Sequence, residues 1–163
     1  MPPRLPPDRN AQAPALGSLL SRSRRAMWLT AARRLEASSQ SMHVWQVLNA
    51  LRNRGPMTQC ELATCTGQHA AGVSRLLETL EREGGVSRER DPDDRRKLRV
   101  DLTALGRERL TAMDPEVATA AEQFLAPLGP DERGQLEQLL TKLIDAAAAG
   151  SPESTAFVSR RRA

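Results

Sequence analysis

Aromatic residues are scarce in this chain of 163 residues: they make up 2% of it, and there is no Tyr. A core must therefore be built from Leu, Val, Ala and Met, which favours packed helices over a β-sandwich. No apolar run approaches the ~20 residues of a transmembrane helix, and the opening MPPRLPPDRN has no apolar segment typical of a signal peptide. We therefore expect one mainly helical domain in the cytoplasm, with no membrane partner.

The chain has only two cysteines, Cys60 and Cys65, and without an export signal they are expected to be thiols rather than a disulfide. They are interpreted either as small apolar residues or as redox-sensing thiols. Neither they nor His43 and His69 have C-x-x-C or H-x-x-H spacing, so we predict no metal site and no other cofactor. Phosphate-loop, serine-elbow and H-E-x-x-H motifs are also missing, which predicts a protein that is not an enzyme.

Basic residues outnumber acidic ones, for a net charge of +4, and the excess lies in residues 1–57, where nine Arg stand against Asp8 and Glu36. A basic chain favours a polyanionic partner such as nucleic acid. The charge alone is equally consistent with a solvated, arginine-rich surface.

Hydrophobic periodicity predicts helices over 14–37, 41–54, 58–64, 69–83, 103–125 and 130–149. Ser41 and Thr103 are expected to cap helices, and Thr58 with Glu61 fits a capping box. The Asp-Pro pair at 114–115 predicts a bend or break in the fifth helix. That helix has apolar positions at Leu105, Leu110, Met113, Val117 and Phe124. Apolar faces at both ends of the chain need a partner to cover them.

The charged stretch DPDDRRK separates two short segments, 86–90 and 98–102, in which apolar and polar residues alternate. This pattern predicts a β-hairpin with a charged tip. Because the hairpin follows two helices joined at Gly67, the order indicates a winged helix-turn-helix. Such a hairpin can place an arginine in the minor groove of DNA, braced by a neighbouring carboxylate. The alternative is a solvated turn with weak local ion pairs.

Three segments carry a resemblance to a known family: MTQCELATCTG, GVSRLLETLEREGGVSRERDPDDRRKLRVDLTALGRERL and LGPDERGQLEQLLTKL. The chain resembles the MarR family over about residues 15–149. The resemblance implies a mainly α fold with a small β-wing, in which a winged helix-turn-helix lobe is joined to N- and C-terminal dimerisation helices. It further implies a homodimer that binds palindromic promoter DNA, usually represses, and is released by a small-molecule effector.

The resemblance also implies domain boundaries. These are a disordered arm (1–12), an N-terminal dimerisation helix (13–37), the DNA-binding domain (38–103), C-terminal dimerisation helices (104–149) and a disordered tail (150–163).

Site residues follow from the same resemblance. The implied contacts to double-stranded DNA are the wing residues Asp94, Arg95 and Arg96, the recognition-helix residues His69, Ala70, Ala71, Gly72, Ser74 and Arg75, and the phosphate-contacting residues Thr58 and Gln59. One of the two wing arginines would enter the minor groove, with Asp94 bracing it. The sequence departs from the family pattern at Thr66 and Ala71 and at Gly85, where the change suggests a more mobile wing hinge.

The implied effector site, for a small ligand such as an anionic aromatic compound, comprises Arg24, Arg25, Trp28, Met42, His43 and Trp45. Four of these have a structural alternative: Trp45 in the core, Arg24 and Arg25 in solvent or ion pairs, and His43 at the surface. Two other functions stay open, a redox-sensing regulator that uses Cys60 and Cys65, and a winged helix that binds protein instead of DNA.

Overall fold

The computed structural model describes residues 9–91, 94 and 96–149. In chain order the elements are α1 (Arg9–Ala37), α2 (Met42–Arg54), β1 (Met57–Thr58), α3 (Gln59–Thr66), α4 (Ala70–Arg82), β2 (Val86–Arg90), β3 (Leu98–Leu102), α5 (Ala104–Leu125) and α6 (Pro130–Ala149). The mainly α fold with a small β-wing is confirmed. The predicted tail, 150–163, and the first eight residues of the predicted arm lie outside the described residues.

The two long helices α1 and α5 differ from the sequence predictions. Helix α1 begins at Arg9 rather than Pro14, so the last residues of the predicted arm are helical. Helix α5 continues without interruption through Pro115, because its packing against α1 and α2 holds the helix on both sides of the proline. Of the predicted bend or break, the break is therefore wrong, and the bend stays a prediction. The Arg34–Glu116 ion pair, at 2.9 Å, adds a polar link between α1 and α5.

One apolar core joins the long helices to the helix-turn-helix lobe. Its most completely buried large side chains are Leu35, Leu48, Leu51, Leu62, Leu77, Leu80, Leu110 and Met113. Burying one leucine of this kind stabilises the fold by about 1.5–3 kcal/mol. Because the core contains residues of α1, α2, α3, α4 and α5 together, the lobe and the long helices form one packed unit.

The sheet has three strands in the order β1-β3-β2, all antiparallel. The hairpin of β2 and β3 is confirmed, with Val86 opposite Leu102 and Arg90 opposite Leu98. Strand β1 was missed, since two residues are too few to show an alternating pattern. It pairs Met57 with Val100 and Thr58 with Arg99, and so fixes the start of α3 beside the wing.

Apolar side chains remain exposed at both ends of the chain. They are Leu16, Leu19, Leu20, Met27 and Leu29 on α1, and Leu139, Leu143 and Ile144 on α6. Leu105, which the pattern placed on an apolar face of α5, is also 53% exposed. None of the described residues of α6 is buried. Across the described residues, no helix is both long and apolar enough to span a bilayer.

Candidate nucleic-acid interface

The helix-turn-helix corner is built by local backbone chemistry. The Thr58 hydroxyl accepts a hydrogen bond from Glu61 N, and the Glu61 carboxylate accepts one from Thr58 N at 2.7 Å, which confirms the capping box at the start of α3. Gly67 ends α3 with φ 67°, a left-handed conformation that glycine adopts without strain. His69 then begins α4 as its N-cap.

The first turns of α4 form an exposed surface of small side chains. His69, Ala70, Ala71 and Gly72 are all exposed, as is Arg75. The next polar residue, Ser74, is half-buried and its Oγ donates to Glu78 Oε1 at 3.2 Å. Five of the six predicted recognition-helix residues therefore lie at the surface, whereas Ser74 is engaged within the helix.

The two predicted phosphate contacts at the start of α3, Thr58 and Gln59, differ in whether their hydrogen-bond donors are already engaged. Thr58 donates both its backbone N–H and its hydroxyl to Glu61 Oε2, at 2.7 and 2.9 Å. A phosphate would therefore compete with a carboxylate that is already in place. Gln59 is half-exposed in the first turn of α3 and remains a predicted contact.

The wing tip is organised by Asp91, which the sequence reasoning did not single out. Asp91 is 8% exposed, and its Oδ1 accepts a hydrogen bond from Asp94 N at 3.2 Å. Its Oδ2 lies 2.9 Å from Arg99 Nε, close enough for an ion pair although the N–H is not aligned for a hydrogen bond. The available signal was the position of Asp91 as the first acid of DPDD, directly after a strand.

The two described residues of the predicted wing contact are Asp94 and Arg96. Asp94 Oδ1 accepts a hydrogen bond from Arg96 N at 3.1 Å, and its other oxygen lies 3.6 Å from Lys97 Nζ. The brace that we expected from Asp94 thus acts on the backbone of Arg96, whose side chain is exposed. Arg95 lies outside the described residues.

The wing is tied to the recognition helix at its base. Arg88 Nε of β2 lies 3.4 Å from Glu81 Oε2 of α4. Thr103 caps α5 as predicted, and its hydroxyl also donates to Gly84 O at 2.6 Å. Gly85 itself is buried and donates its N–H to Leu80 O at 2.7 Å. The mobile hinge that we suggested at Gly85 is therefore held by backbone bonds on both sides.

The six candidate effector residues lie in three different environments. Arg24, Arg25 and Trp28 lie on one face of α1 together with Ser21 and Leu29. The ring of Trp28 lies 5.3 Å from the ring of His43 on α2, tilted by 53°, so these two candidates are in contact. Met42, at 9% exposure, packs in the core.

Trp45, the last effector candidate, belongs to a polar network that joins α2 to α5. Its Nε1 donates to Asp114 Oδ1 at 3.0 Å, and Arg52 pairs with both oxygens of Asp114. Burial raises the pKa of Asp114, but the hydrogen bonds from Arg52 and Trp45 and the charge of Arg52 lower it by more. The network therefore stabilises the fold at neutral pH. This contribution is lost as the pH falls below the usual pKa of an aspartate and through the lowered pKa of Asp114.

The two cysteines lie in α3, with Cys60 exposed and Cys65 half-buried. Burial raises the pKa of the Cys65 thiol, an effect that Arg54 opposes and Glu61 reinforces. Residues five apart in a helix have Cα atoms about 8–9 Å apart, beyond the ~7 Å limit of a disulfide. Within the described residues, no three His, Cys, Asp or Glu side chains are grouped to hold a metal ion.

Comparison with known proteins identifies the family. A family model described as MarR family matches residues 40–97. The HTH-type transcriptional repressor NicR of Pseudomonas putida is 38% identical over 98 residues, which are 60% of this chain and 62% of NicR, less than two thirds of that relative's length. The transcriptional regulator HosA of Escherichia coli O111:H- is 31% identical over 102 residues, which are 63% of this chain and 76% of HosA.

Among solved structures, BpsR of Bordetella bronchiseptica is similar over 79% of this chain and 98% of its own, with a TM-score of 0.67 and 28% identity. That structure was determined to explain how 6-hydroxynicotinic acid regulates DNA binding by BpsR. These relatives are regulators rather than enzymes, in agreement with the missing catalytic motifs. The chain belongs to the MarR family of transcriptional regulators.

Proposed function

We propose that this protein is a homodimeric repressor that binds promoter DNA through α4 and the wing and is released by a small anionic aromatic ligand. The observation that carries the proposal is the exposed first turn of α4 beside a hairpin whose tip is fixed by Asp91. An α-helix with its side chains is about 10–12 Å across and fits the major groove, which is about 12 Å wide. The small residues 70–72 allow close approach to the base edges.

The wing supplies a second contact next to the first. The backbone of Arg96 is fixed by Asp94 while its side chain is exposed to solvent. A weakly hydrated guanidinium is well suited to the negative potential of a narrow minor groove. Either Arg95 or Arg96 therefore enters that groove, while α4 occupies the neighbouring major groove.

Dimerisation follows from the uncovered apolar side chains of α1 and α6. Leu139 and Leu143 are 62% and 57% exposed, which is costly for leucines that project from one helix. A second copy related by a two-fold axis covers the same residues on both chains. The two α4 helices then reach half-sites about one DNA turn apart.

The proposed effector site is this face of α1, where Arg24 and Arg25 lie beside the Trp28–His43 ring pair. A guanidinium next to an indole suits a ligand that has both a carboxylate and an aromatic ring. The ligand of BpsR, 6-hydroxynicotinic acid, has this chemistry. Adding that compound to the DNA-binding assay tests this part of the proposal: lower DNA affinity supports it, and unchanged affinity across aromatic acids contradicts it.

Changing Arg95 and Arg96 together to Ala tests the wing. We expect the double variant to remain a folded dimer and to bind DNA with an affinity reduced by about tenfold or more, since each well-placed contact contributes about 1–3 kcal/mol. Fluorescence anisotropy with labelled operator DNA measures the loss, and Arg33→Gln, an exposed arginine on α1, is the control for general charge. Full-strength binding by the double variant would remove the wing from the interface.

A further inference from the structure

Arg99 lies where the wing meets the helix-turn-helix lobe. In β3 it is paired with Thr58 of β1 on one side and with Glu89 of β2 on the other. Side chains alternate between the two faces of a strand, so Arg99 lies on the face opposite the buried Val100. Its position is therefore beside the start of α3 and three residues from Arg96 at the wing tip.

Asp91 holds one edge of the Arg99 guanidinium. Arg99 Nε is buried and lies 2.9 Å from Asp91 Oδ2, whereas the Arg99 side chain as a whole is 40% exposed. An arginine carries five N–H donors in a rigid fork. With the Nε edge placed against Asp91, the exposed part of the Arg99 side chain is accessible to a ligand.

The surface beside Arg99 carries carboxylates, so a polyanion can approach it closely only if a cation is also present. At the start of α3, the donors of Thr58 are engaged by Glu61, and that carboxylate would repel a phosphate. Glu89 adds a second exposed carboxylate across the strand pair. Arg99 provides a positive charge on this face.

We propose that Arg99 binds a phosphate of the DNA backbone between the segments contacted by α3 and by the wing tip, and that Asp91 is its positioning residue. This inference rests on the proposed DNA-binding function. A phosphate contact carries no sequence information, so Arg99 contributes affinity and register rather than choice of bases.

Replacement of Arg99 by Gln tests the assignment through the salt dependence of binding. Each phosphate contact contributes about 0.9 to the slope of log Kd against log salt concentration, so the loss of two in the dimer should reduce that slope by about 1.8. The same relation gives binding about 60-fold weaker at 0.1 M salt and equal to the wild type near 1 M. Arg99→Lys keeps the charge and should keep the wild-type slope.

Two further variants separate a phosphate contact from a structural role. Asp91→Asn with Arg99→Gln leaves no unpaired carboxylate, and it should show the same reduced slope as Arg99→Gln alone. Arg33→Gln, on α1, should keep the wild-type slope. If folded Arg99→Gln binds more weakly but with an unchanged slope, or binds as well as the wild type, the inference is overturned. A wild-type protein without salt-dependent DNA binding would instead overturn the proposed function itself.

Discussion

Replacement of Gly106 by Ala should lower the free energy of unfolding by about 3 kcal/mol, the upper part of the usual range for overpacking. Gly106 is buried in the first turn of α5, against the start of the wing. A Cβ atom there would overlap the Gly85 carbonyl oxygen and lie 2.8 Å from Leu102 Cδ2. Gly85 O belongs to the backbone and already accepts a hydrogen bond from Thr103 N, so it cannot rotate away. Strand β2 must therefore separate from α5.

The matched control is Gly72→Ala in α4. Gly72 is also a helical glycine, but a Cβ atom on it would meet nothing within 4 Å. Alanine is favoured over glycine inside a helix by about 1 kcal/mol, so this variant should unfold at a higher denaturant concentration than the wild type. Chemical denaturation followed by circular dichroism compares the two. Equal stability of Gly106→Ala and the wild type would show that the helix and strand are not packed as described.

Changing Leu139 and Leu143 together to Glu should convert the proposed dimer to monomers and reduce operator affinity by about a thousandfold or more. Both leucines are exposed on α6, where glutamate costs an isolated chain little stability. In the dimer, the four introduced carboxylates would lie in an apolar contact and would each be costly to bury. A monomer contacts only one half-site. It therefore loses the additional DNA affinity that arises when two linked lobes bind two half-sites at once.

Analytical sedimentation measures the oligomeric state, and fluorescence anisotropy measures the DNA affinity of the same samples. Gln138→Glu is the control, because Gln138 is also exposed on α6 and this substitution introduces a carboxylate on the same helix. This control should remain a dimer with wild-type affinity. A wild-type protein that sediments as a monomer, or a double leucine variant that remains a dimer, would contradict the role given to α6.

Much of the fold could be predicted because its signals are local. The capping box at Thr58, the left-handed glycine at Gly67 and the alternation in β2 and β3 each depend on a few neighbouring residues. The continuity of α5 through Pro115 could not be predicted, since it depends on α1 and α2, which are distant in sequence. Strand β1 was missed for a similar reason: only its pairing with β3 makes it a strand.

The sequence could predict which residue types form the candidate site, but not which side chains form ion pairs or hydrogen bonds with one another. Arg96, which is exposed, could be recognised in DPDDRR, whereas the Asp91–Arg99 ion pair required the strand register. Likewise, the sequence predicts that Thr58 donates a hydrogen bond to a phosphate. Only the structure shows that its backbone N–H and its hydroxyl both donate to Glu61. Trp45 reads as a ligand-binding aromatic, yet its indole N–H is bound to Asp114 on a helix about 70 residues later.

The most direct test of the proposed function is binding of the wild-type protein to the DNA upstream of its own gene, measured across salt concentrations. We expect a specific dimer complex that weakens by a factor of about 10³ or more between 50 and 200 mM salt, as phosphate-dominated docking requires. A footprint with two half-sites about ten base pairs apart would accompany it. Binding that does not respond to salt, or no binding to this or to random-sequence DNA, would contradict the proposal and favour a winged helix that binds protein.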